Sequence, residues 1–350
     1  MAAEVHRYKI GDIDVTVLSD GFRMVPVDGN YLSNASTYDL ARALAASGLP
    51  ADKMKNTYSP IVLTTGGKRV LFDTGNGEAA AAQSKGERGT LNANLAAAGI
   101  DRNSIDTVVI SHFHADHVNG LLMADNSKAF PNAEILVPEN EWKFWMDDGE
   151  MSRAPKGRMT ELFANNRRVF DALSRKVTPY AWDKEIVPGV TTVGTPGHSI
   201  GHTSFLVASG GKAVFVQSDV CNNFAVFAPH PHWHGFFDQD APQAAATRCK
   251  VYDMLAARSL PVQAYHFPFP ALARIEKQGD GYRVVLMDTY VGTCAMGTDA
   301  GAPVDEMLRV RGVARLRVVD ASVMPEVTCC NTHAPTLALA ERAAELVLTQ

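Results

Sequence analysis

The chain has 350 residues, of which 46% are hydrophobic and 20% are charged, and its formal net charge is -5. This length accommodates one large domain or a domain with an appendage, and the apolar content is sufficient for a sizeable core. The slightly acidic balance, without a dense Lys/Arg run, argues against nucleic acid as the main partner, because phosphate binding needs clustered positive charge. No stretch has the ~20 consecutive apolar residues that span a membrane, so we expect no membrane partner.

The first residues, MAAEVHRYKIGD, lack the basic and apolar segments of a secretory signal. We therefore expect a cytoplasmic protein, or a periplasmic or secreted one from which a signal peptide has been removed. The five cysteines are scattered without CxxC spacing, which indicates neither a disulfide framework nor a cysteine zinc site.

In chain order, short β-rich runs alternate with segments of helical periodicity, which predicts a layered α/β architecture. The predicted strands include VTVLSD, PIVLTTGGKRVLFDTG, DTVVIS, AEILVP, GVTTVG, TSFLVASGGKAVFVQSD and VQAYHF. The predicted helices are at 90–100, 141–145, 159–174 and 241–258. The character of the sequence changes after IEKQGDGYRVV, so we predict a first domain at 1–287 and a separate segment at 288–350. That segment has its own predicted strand, LRVVD, and its own predicted helix, TLALAERAAELVL.

The strongest local signal is the sequence SHFHADH, which directly follows the strand DTVVI. It places His112, His114, Asp116 and His117 within six residues on one loop. Buried imidazoles and carboxylates cost several kcal/mol unless they are paired or bound to metal. Mixed histidine and carboxylate ligands are typical of zinc, so the loop predicts metal binding, with His112 and His114 at one ion and Asp116 and His117 at a second.

Three further strands end in a possible metal ligand. TPGHS offers His198, VQSD offers Asp219, and AYH offers His266. A sheet delivers the ends of its strands to one edge, so these side chains are expected to reach the same site.

This order of ligands resembles that of the metallo-β-lactamase superfamily. The resemblance implies His112, His114 and His198 at a first metal, and Asp116, His117 and His266 at a second, with Asp219 bridging them. It also implies that Asp73, in LFDTG, orients the site without binding metal. The stretches TPGHSIGHTSF and HFPFPALARIEKQGDGYRVV look most like the methyl parathion hydrolase-like and lactonase-like branch.

Two divalent ions about 3.5 to 4 Å apart share a water and lower its pKa, which implies hydrolysis of an ester, lactone or phosphotriester. Zinc is the expected metal, although iron, manganese or cobalt also accept such ligands. Asp116 is a candidate to orient the hydroxide and receive a proton, or it is a ligand only. His202 is expected to support a neighbouring ligand rather than to bind metal.

Several aromatic side chains have two open interpretations. Phe267 and Phe269, together with Trp142 and Trp145, either line an apolar substrate pocket or belong to the core. Asn222 and Asn223, which follow Asp219, are placed near the site as a hypothesis.

The C-terminal segment resembles the closing part of glucose-methanol-choline oxidoreductases, through VGTCAMG, VDEMLRVRGVARLRVVDASVMP and NTHAPTLALAERAAELVL. That family binds FAD, but no GxGxxG follows a strand in this chain, so FAD is not expected. Thr289 and Tyr290 stand where the family has His-Pro, and only His333 matches a catalytic position. The segment is therefore interpreted as a remnant that docks on the hydrolase or mediates dimerisation.

The predicted fold is a four-layer αβ/βα sandwich with a small C-terminal appendage. The predicted protein is a dinuclear metal hydrolase acting on a small molecule, and its oligomeric state is left open, with a homodimer as one option. The alternatives are a metal-dependent redox enzyme of the same superfamily, a flavin oxidoreductase, and a binding module without catalysis.

Overall fold

The computed structural model describes residues 4–287, 294, 296–298, 301–314, 316–324 and 333–348, with side chains from residue 336 onward in the last range. The chain divides into two compact units, 1–284 and 285–350. The boundary expected from the sequence, after residue 287, differs from this division by three residues. Within the described ranges, no helix is both long enough and apolar enough to cross a membrane.

The first unit contains two mixed seven-stranded sheets. The first sheet has the strand order β1 (Val5–Ile10), β2 (Ile13–Leu18), β5 (Ile61–Thr65), β6 (Lys68–Phe72), β7 (Thr107–Val109), β8 (Glu134–Pro138) and β9 (Thr178–Tyr180). The second has the order β10 (Glu185–Val187), β11 (Val190–Gly194), β12 (Thr203–Ser209), β13 (Lys212–Ser218), β14 (Val262–Ala264), β15 (Leu272–Gln278) and β16 (Gly281–Leu286). A separate hairpin pairs β3 (Phe22–Pro26) with β4 (Lys53–Thr57).

Helices cover both sheets. Those of the first unit are α1 (Thr37–Ala46), α2 (Glu78–Gln83), α3 (Leu91–Ala97), α4 (Ala115–Val118), α5 (Glu139–Trp145), α6 (Asp148–Arg153), α7 (Arg158–Ala172), α8 (Phe224–Phe227) and α9 (Ala241–Arg258). α3 packs on β2 and α5 on β8, whereas α9 packs on β15 and β1 contacts β12 and β13 of the other sheet. α9 begins where the side chain of Asp240 accepts a hydrogen bond from the Gln243 amide, which satisfies one of the free amides of the first turn.

The strand directions explain where the site forms. β6, β7 and β8 run parallel, so their carboxyl ends lie at one edge of the first sheet. β11 and β13 are both antiparallel to β12, and β14 is parallel to β13, so these three strands also end at one edge. Every predicted ligand follows one of these carboxyl ends, as the sequence indicated.

The second unit has a small core of its own. Val304, Leu308 and Val323 pack with Ala343 and Leu346 of the C-terminal helix α10 (His333–Leu348). The strand predicted at LRVVD does not form. In the described part of this segment, Arg317 makes a single bridge with Arg309, and a strand needs partners along its whole length. Thr289, Tyr290 and the side chain of His333 lie outside the described residues.

Candidate metal centre

The structure brings all seven predicted ligands together. Within each of two groups, the possible ligand atoms lie within 4.8 Å of one another, and the groups are His112, His114, His198 and Asp219, and Asp116, His117 and His266. Six of these side chains are buried, whereas the carboxylate of Asp116 is 25% exposed. The convergence of four separate strand ends on one place is what the sequence predicted, and the assignment of individual residues to individual ions stays a prediction.

Asp219 lies between the two groups. In the first group, its Oδ2 is 3.2 Å from Nε2 of His198. In the second, its Oδ1 is 3.3 Å from Nε2 of His117, and its Oδ2 is 3.0 Å from Nε2 of His266. One carboxylate that reaches both sets of imidazoles is the arrangement expected of a bridging ligand.

Three buried atoms at this point make no hydrogen bond of acceptable geometry among the described residues, although each lies 3.2–3.3 Å from an atom of a neighbouring ligand: Nε2 of His117, Nε2 of His198 and Oδ1 of Asp219. Buried polar atoms are normally satisfied, so an unpaired cluster calls for an additional group. Imidazole nitrogen and carboxylate oxygen are ligands of zinc and of similar divalent ions. The donor set therefore fits a pair of divalent cations.

Partners around the ligands hold three of the five imidazoles in one orientation. Nδ1 of His117 lies 2.9 Å from Oδ2 of Asp73, and Nδ1 of His198 lies 2.9 Å from Oδ1 of Asp238. Nδ1 of His266 lies 2.8 Å from the Thr57 carbonyl. With their Nδ1 atoms engaged as donors, these rings direct the lone pair of Nε2 to the centre.

Asp73 and His202 contact the candidate ligands without belonging to either group of ligand atoms. Asp73 also accepts hydrogen bonds from the amide and the hydroxyl of Ser111, at 2.8 Å each. Nε2 of His202 accepts a hydrogen bond from the backbone amide of Asp219, and its Nδ1 lies 3.0 Å from the Thr195 carbonyl. Both nitrogens of His202 are thus occupied, and the ring orients Asp219 instead of binding an ion.

Two strand ends at the site adopt a strained backbone. Asp73 follows β6 with φ of 57°, and Ser218 ends β13 with φ of 49°. A left-handed conformation is unfavourable for residues with a Cβ, and such strain persists where the surroundings impose it. At both places the turn sets the direction of a carboxylate, Asp73 itself or the following Asp219.

The charges of the cluster are coupled. Burial alone would raise the pKa of Asp219, but His266 and His117 outweigh it and hold that pKa well below the usual value. Burial would lower the pKa of His198, yet Asp219 and Asp238 raise it to about 9. Burial, together with the neighbouring imidazoles, holds the pKa of His112 well below its usual value. Binding of cations would therefore displace protons, which makes metal affinity dependent on pH.

Glu141 is a functional residue that the sequence analysis missed. This carboxylate of α5 is fully buried, and its Oε2 accepts hydrogen bonds from the Phe113 amide at 2.9 Å and from Nε1 of Trp145 at 2.8 Å. Its Oε1 accepts from the Ser199 hydroxyl at 2.7 Å and the Gly201 amide at 2.6 Å. Because Phe113 lies between two ligand histidines and Ser199 follows a third, Glu141 joins both ligand loops.

The same contact explains a glycine. A Cβ at Gly201 would overlap the backbone nitrogen of Glu141, so only glycine permits the loop after β11 to approach α5 this closely. Burial raises the pKa of Glu141, and the four hydrogen bonds offset part of that effect. Nothing in the sequence indicates that Glu141 joins the two ligand loops, because a glutamate near the start of a helix, here between Asn140 and Trp142, has the pattern of an exposed residue.

A cavity of about 830 Å³ opens onto the centre. Its wall includes His114, Asp116, His198, Asp219 and His266, together with apolar and aromatic side chains. The apolar and aromatic residues of the wall include Val25, Tyr31, Met54, Tyr58, Leu122, Met123, Leu162, Phe236 and Phe237. A cavity that combines a candidate site for two metal ions with an apolar wall suits a small organic substrate.

The aromatic residues considered for this cavity are elsewhere. Phe267 and Trp145 are fully buried in two hydrophobic cores, Trp142 packs against the core that contains Trp145, and Phe269 is not part of the cavity wall. Phe267, Trp142 and Trp145 therefore contribute to the hydrophobic cores, whereas Phe269 is half-buried and belongs to neither of these two cores. Asn222 does lie at the site, where its Nδ2 donates to Oδ2 of Asp219 at 2.8 Å, and Asn223 also lines the cavity.

Comparisons with known proteins agree with this geometry. Residues 57–216 match the model of the metallo-beta-lactamase superfamily. The dizinc quorum-quenching lactonase AidC, in complex with a product N-hexnoyl-L-homoserine, is 23% identical with a TM-score of 0.75, over 82% of this chain and 98% of that chain. The first unit has the metallo-β-lactamase fold. AbOPH, a hydrolase in the beta lactamase superfamily, is also 23% identical, with a TM-score of 0.74 over 82% of this chain and 99% of that chain.

A second match concerns the C-terminal part. Residues 226–340 match the GMC oxidoreductase model, and this match begins inside the metallo-β-lactamase fold. The alcohol dehydrogenase [acceptor] of Pseudomonas putida is 53% identical over 95 residues, which are 25% of this chain and 17% of that protein. An uncharacterized GMC-type oxidoreductase of Mycobacterium tuberculosis is 54% identical over 57 residues, 16% of this chain and 11% of that protein. The chain thus spans less than a fifth of these curated relatives.

Proposed function

We propose that the first unit is a dinuclear metal-dependent hydrolase, with zinc as its metal, that cleaves an ester, a lactone or a phosphotriester. The observation that supports this proposal most is the pair of ligand groups that share Asp219 beside an open cavity. The similar fold of AidC, a lactonase, favours a lactone or related ester.

The residues of the chain have separate tasks in this proposal. When bound, two divalent cations would supply a nucleophile from water near neutral pH and polarise the oxygen of the bond that is cleaved. Asp116 is the one candidate ligand with a partly exposed carboxylate, and it lines the cavity. From that position it orients the attacking water and accepts its proton.

The remaining groups keep the centre rigid. Asp73 and Asp238 fix the rings of His117 and His198, and His202 fixes the backbone of Asp219. Such partners typically change metal affinity or activity 10- to 100-fold when they are removed. The C-terminal unit has no assigned task in this reaction, and a role in dimerisation remains a separate proposal.

The test combines metal analysis with a panel of lactones, aryl esters, phosphotriesters and β-lactams. We expect about two metal ions per chain, loss of hydrolysis on chelation, and recovery on addition of zinc. His114→Ala and Asp219→Ala should both abolish hydrolysis and reduce bound metal, whereas His232→Ala, at an exposed loop histidine, should do neither. Full activity of the Asp219→Ala protein after chelation and dialysis would contradict the proposal. Bound iron with consumption of oxygen would instead favour a redox enzyme of the same fold.

A further inference from the structure

We propose that the substrate carries a carboxylate close to the bond that is cleaved, and that Arg158 binds this carboxylate. The inference rests on the proposed function, because it concerns the substrate of the same cavity. It depends on the surroundings of Arg158, on the charge of the cavity wall and on the chemistry of His114.

Arg158 stands directly beside a candidate metal ligand. It is the first residue of α7, it lines the cavity, and its Nη2 lies 3.2 Å from Nε2 of His114. The other ring nitrogen of His114, Nδ1, lies 3.0 Å from Nε2 of His112 and therefore faces the centre. When Nδ1 gives its lone pair to a cation, the neutral ring carries its proton on Nε2. Arg158 and His114 then present two hydrogen-bond donors to each other, and an acceptor oxygen beside them would satisfy both.

No acidic side chain of the described residues forms an ion pair with Arg158. Its neighbours along the chain differ in this respect, since Arg153 pairs with Glu150 and Arg167 with Asp148. A positive charge at the amino end of a helix also opposes the helix dipole, so stabilisation of α7 does not explain the residue. An anionic ligand in the cavity would compensate this charge.

The whole wall favours an anion once the centre is loaded. Four arginines and four carboxylates line the cavity, and they are Arg23, Arg88, Arg158 and Arg168, and Glu78, Asp116, Glu161 and Asp219. These charges cancel, and the carboxylates of Asp73 and Asp238 behind the ligand imidazoles offset only part of the charge of two divalent cations, so the loaded cavity keeps a net positive charge. Glu78 is already engaged by Nδ2 of Asn92 and the amide of Ala124. Nε of Arg88 is buried without a hydrogen-bond partner in the described part of the chain, which adds a second cation with unused donor capacity.

The guanidinium group of Arg158 is suited to binding a substrate carboxylate because its planar set of donors matches the geometry of a carboxylate. The test therefore compares matched 4-nitrophenyl esters on the metal-loaded protein. 4-Nitrophenyl pentanoate ends in a methyl group, and mono-4-nitrophenyl glutarate has a carboxylate at the same place. Succinate and adipate monoesters, each with the corresponding alkanoate, vary the distance between the two groups. Titration calorimetry with glutarate measures binding without catalysis.

We expect the protein to have a higher kcat/KM for the glutarate ester than for the pentanoate. Arg158→Gln should lower kcat/KM for the glutarate ester roughly 10- to 100-fold, with little change for the pentanoate. Glutarate binding should weaken by a similar factor. Arg158→Lys should restore part of both. Arg153→Gln is the matched control, because this nearby arginine is exposed and already paired, and it should leave the preference and glutarate binding unchanged.

The possible results separate the two proposals. Metal-dependent hydrolysis of both esters at equal rates, unaltered in Arg158→Gln, would overturn the carboxylate site and leave the proposed hydrolase intact. If no substrate in the panel is hydrolysed, the proposed hydrolase fails and the titration decides the inference. Glutarate binding that depends on Arg158 would then support the anion site, and binding that is absent or independent of Arg158 would overturn it.

Discussion

Glu141→Gln is expected to loosen both ligand loops, because the substitution places an amide group where two donors require an acceptor. Each carboxylate oxygen of Glu141 accepts two hydrogen bonds, from Phe113 and Trp145 at Oε2 and from Ser199 and Gly201 at Oε1. Whichever oxygen becomes nitrogen, two buried donors lose their partner. Each buried donor without a partner costs about 1–3 kcal/mol, and removal of the buried negative charge offsets part of the sum. We therefore expect the free energy of unfolding to fall by about 3 kcal/mol.

Urea unfolding in the presence of a chelator measures this loss without the contribution of bound metal. Competition with a chromophoric chelator measures metal affinity, which should fall roughly 10- to 100-fold because the loops that carry the histidines are less well held. Glu139→Gln is the matched control, since Glu139 is on the same helix and pairs with Lys143 at the surface. Glu139→Gln should change the free energy of unfolding by no more than about 0.5 kcal/mol.

The result that would refute this reasoning is a Glu141→Gln protein with the stability and the metal affinity of the unmodified chain. A loss of stability with unchanged metal affinity would show that Glu141 holds α5 in place but does not position the ligands.

Two further predictions concern His202 and the buried carboxyl group of Asp20. His202→Gln should lower metal affinity about 10-fold or more in the same competition assay, because it disturbs the acceptor that holds the amide of Asp219; unchanged affinity would contradict the assigned role. Burial raises the pKa of Asp20 to about 6 from 3.8, so the native state holds its proton more tightly than the unfolded chain does. As the pH rises from about 4 to above 6, the free energy of unfolding of the unmodified chain should fall by up to about 3 kcal/mol relative to that of Asp20→Asn. The exposed Asp14→Asn serves as control, and parallel stability curves for Asp20→Asn and the unmodified chain between pH 4 and 7 would contradict the shift.

The ligand set was predictable because each of its members is locally marked. The loop at 112–117 contains four ligand types together, and each of the other ligands follows an apolar strand. Periodicity also located the long helices, and α9 begins and ends at the predicted residues, Ala241 and Arg258. These features can be recognised from residues that are close together in the chain, so a single sequence is enough to predict them.

Among the supporting residues, Asp73 and His202 lie in recognisable motifs, but Glu141 and Asp238 were not predictable, because their roles depend on distant contacts. Glu141 acquires its role from residues 58 and 60 positions away. In FFDQD, Asp238 orients His198 whereas Asp240 caps α9, and the two aspartates are equivalent in local pattern. The aromatic side chain of Phe267 had no mark to distinguish a cavity wall from a core. Burial in these cases is decided by the tertiary arrangement.

The positions of the ligands along the chain have a consequence for biosynthesis. The donors begin at His112 and end at His266, which follows β14 in the middle of the second sheet. A nascent polypeptide that has not yet exposed β14 lacks a donor from the second group, and it also lacks the last three strands of that sheet, β14, β15 and β16. Domains fold as units during translation. Complete loading with two cations should therefore await nearly the whole first unit, and a ribosome stalled earlier should hold a chain with an unfinished centre.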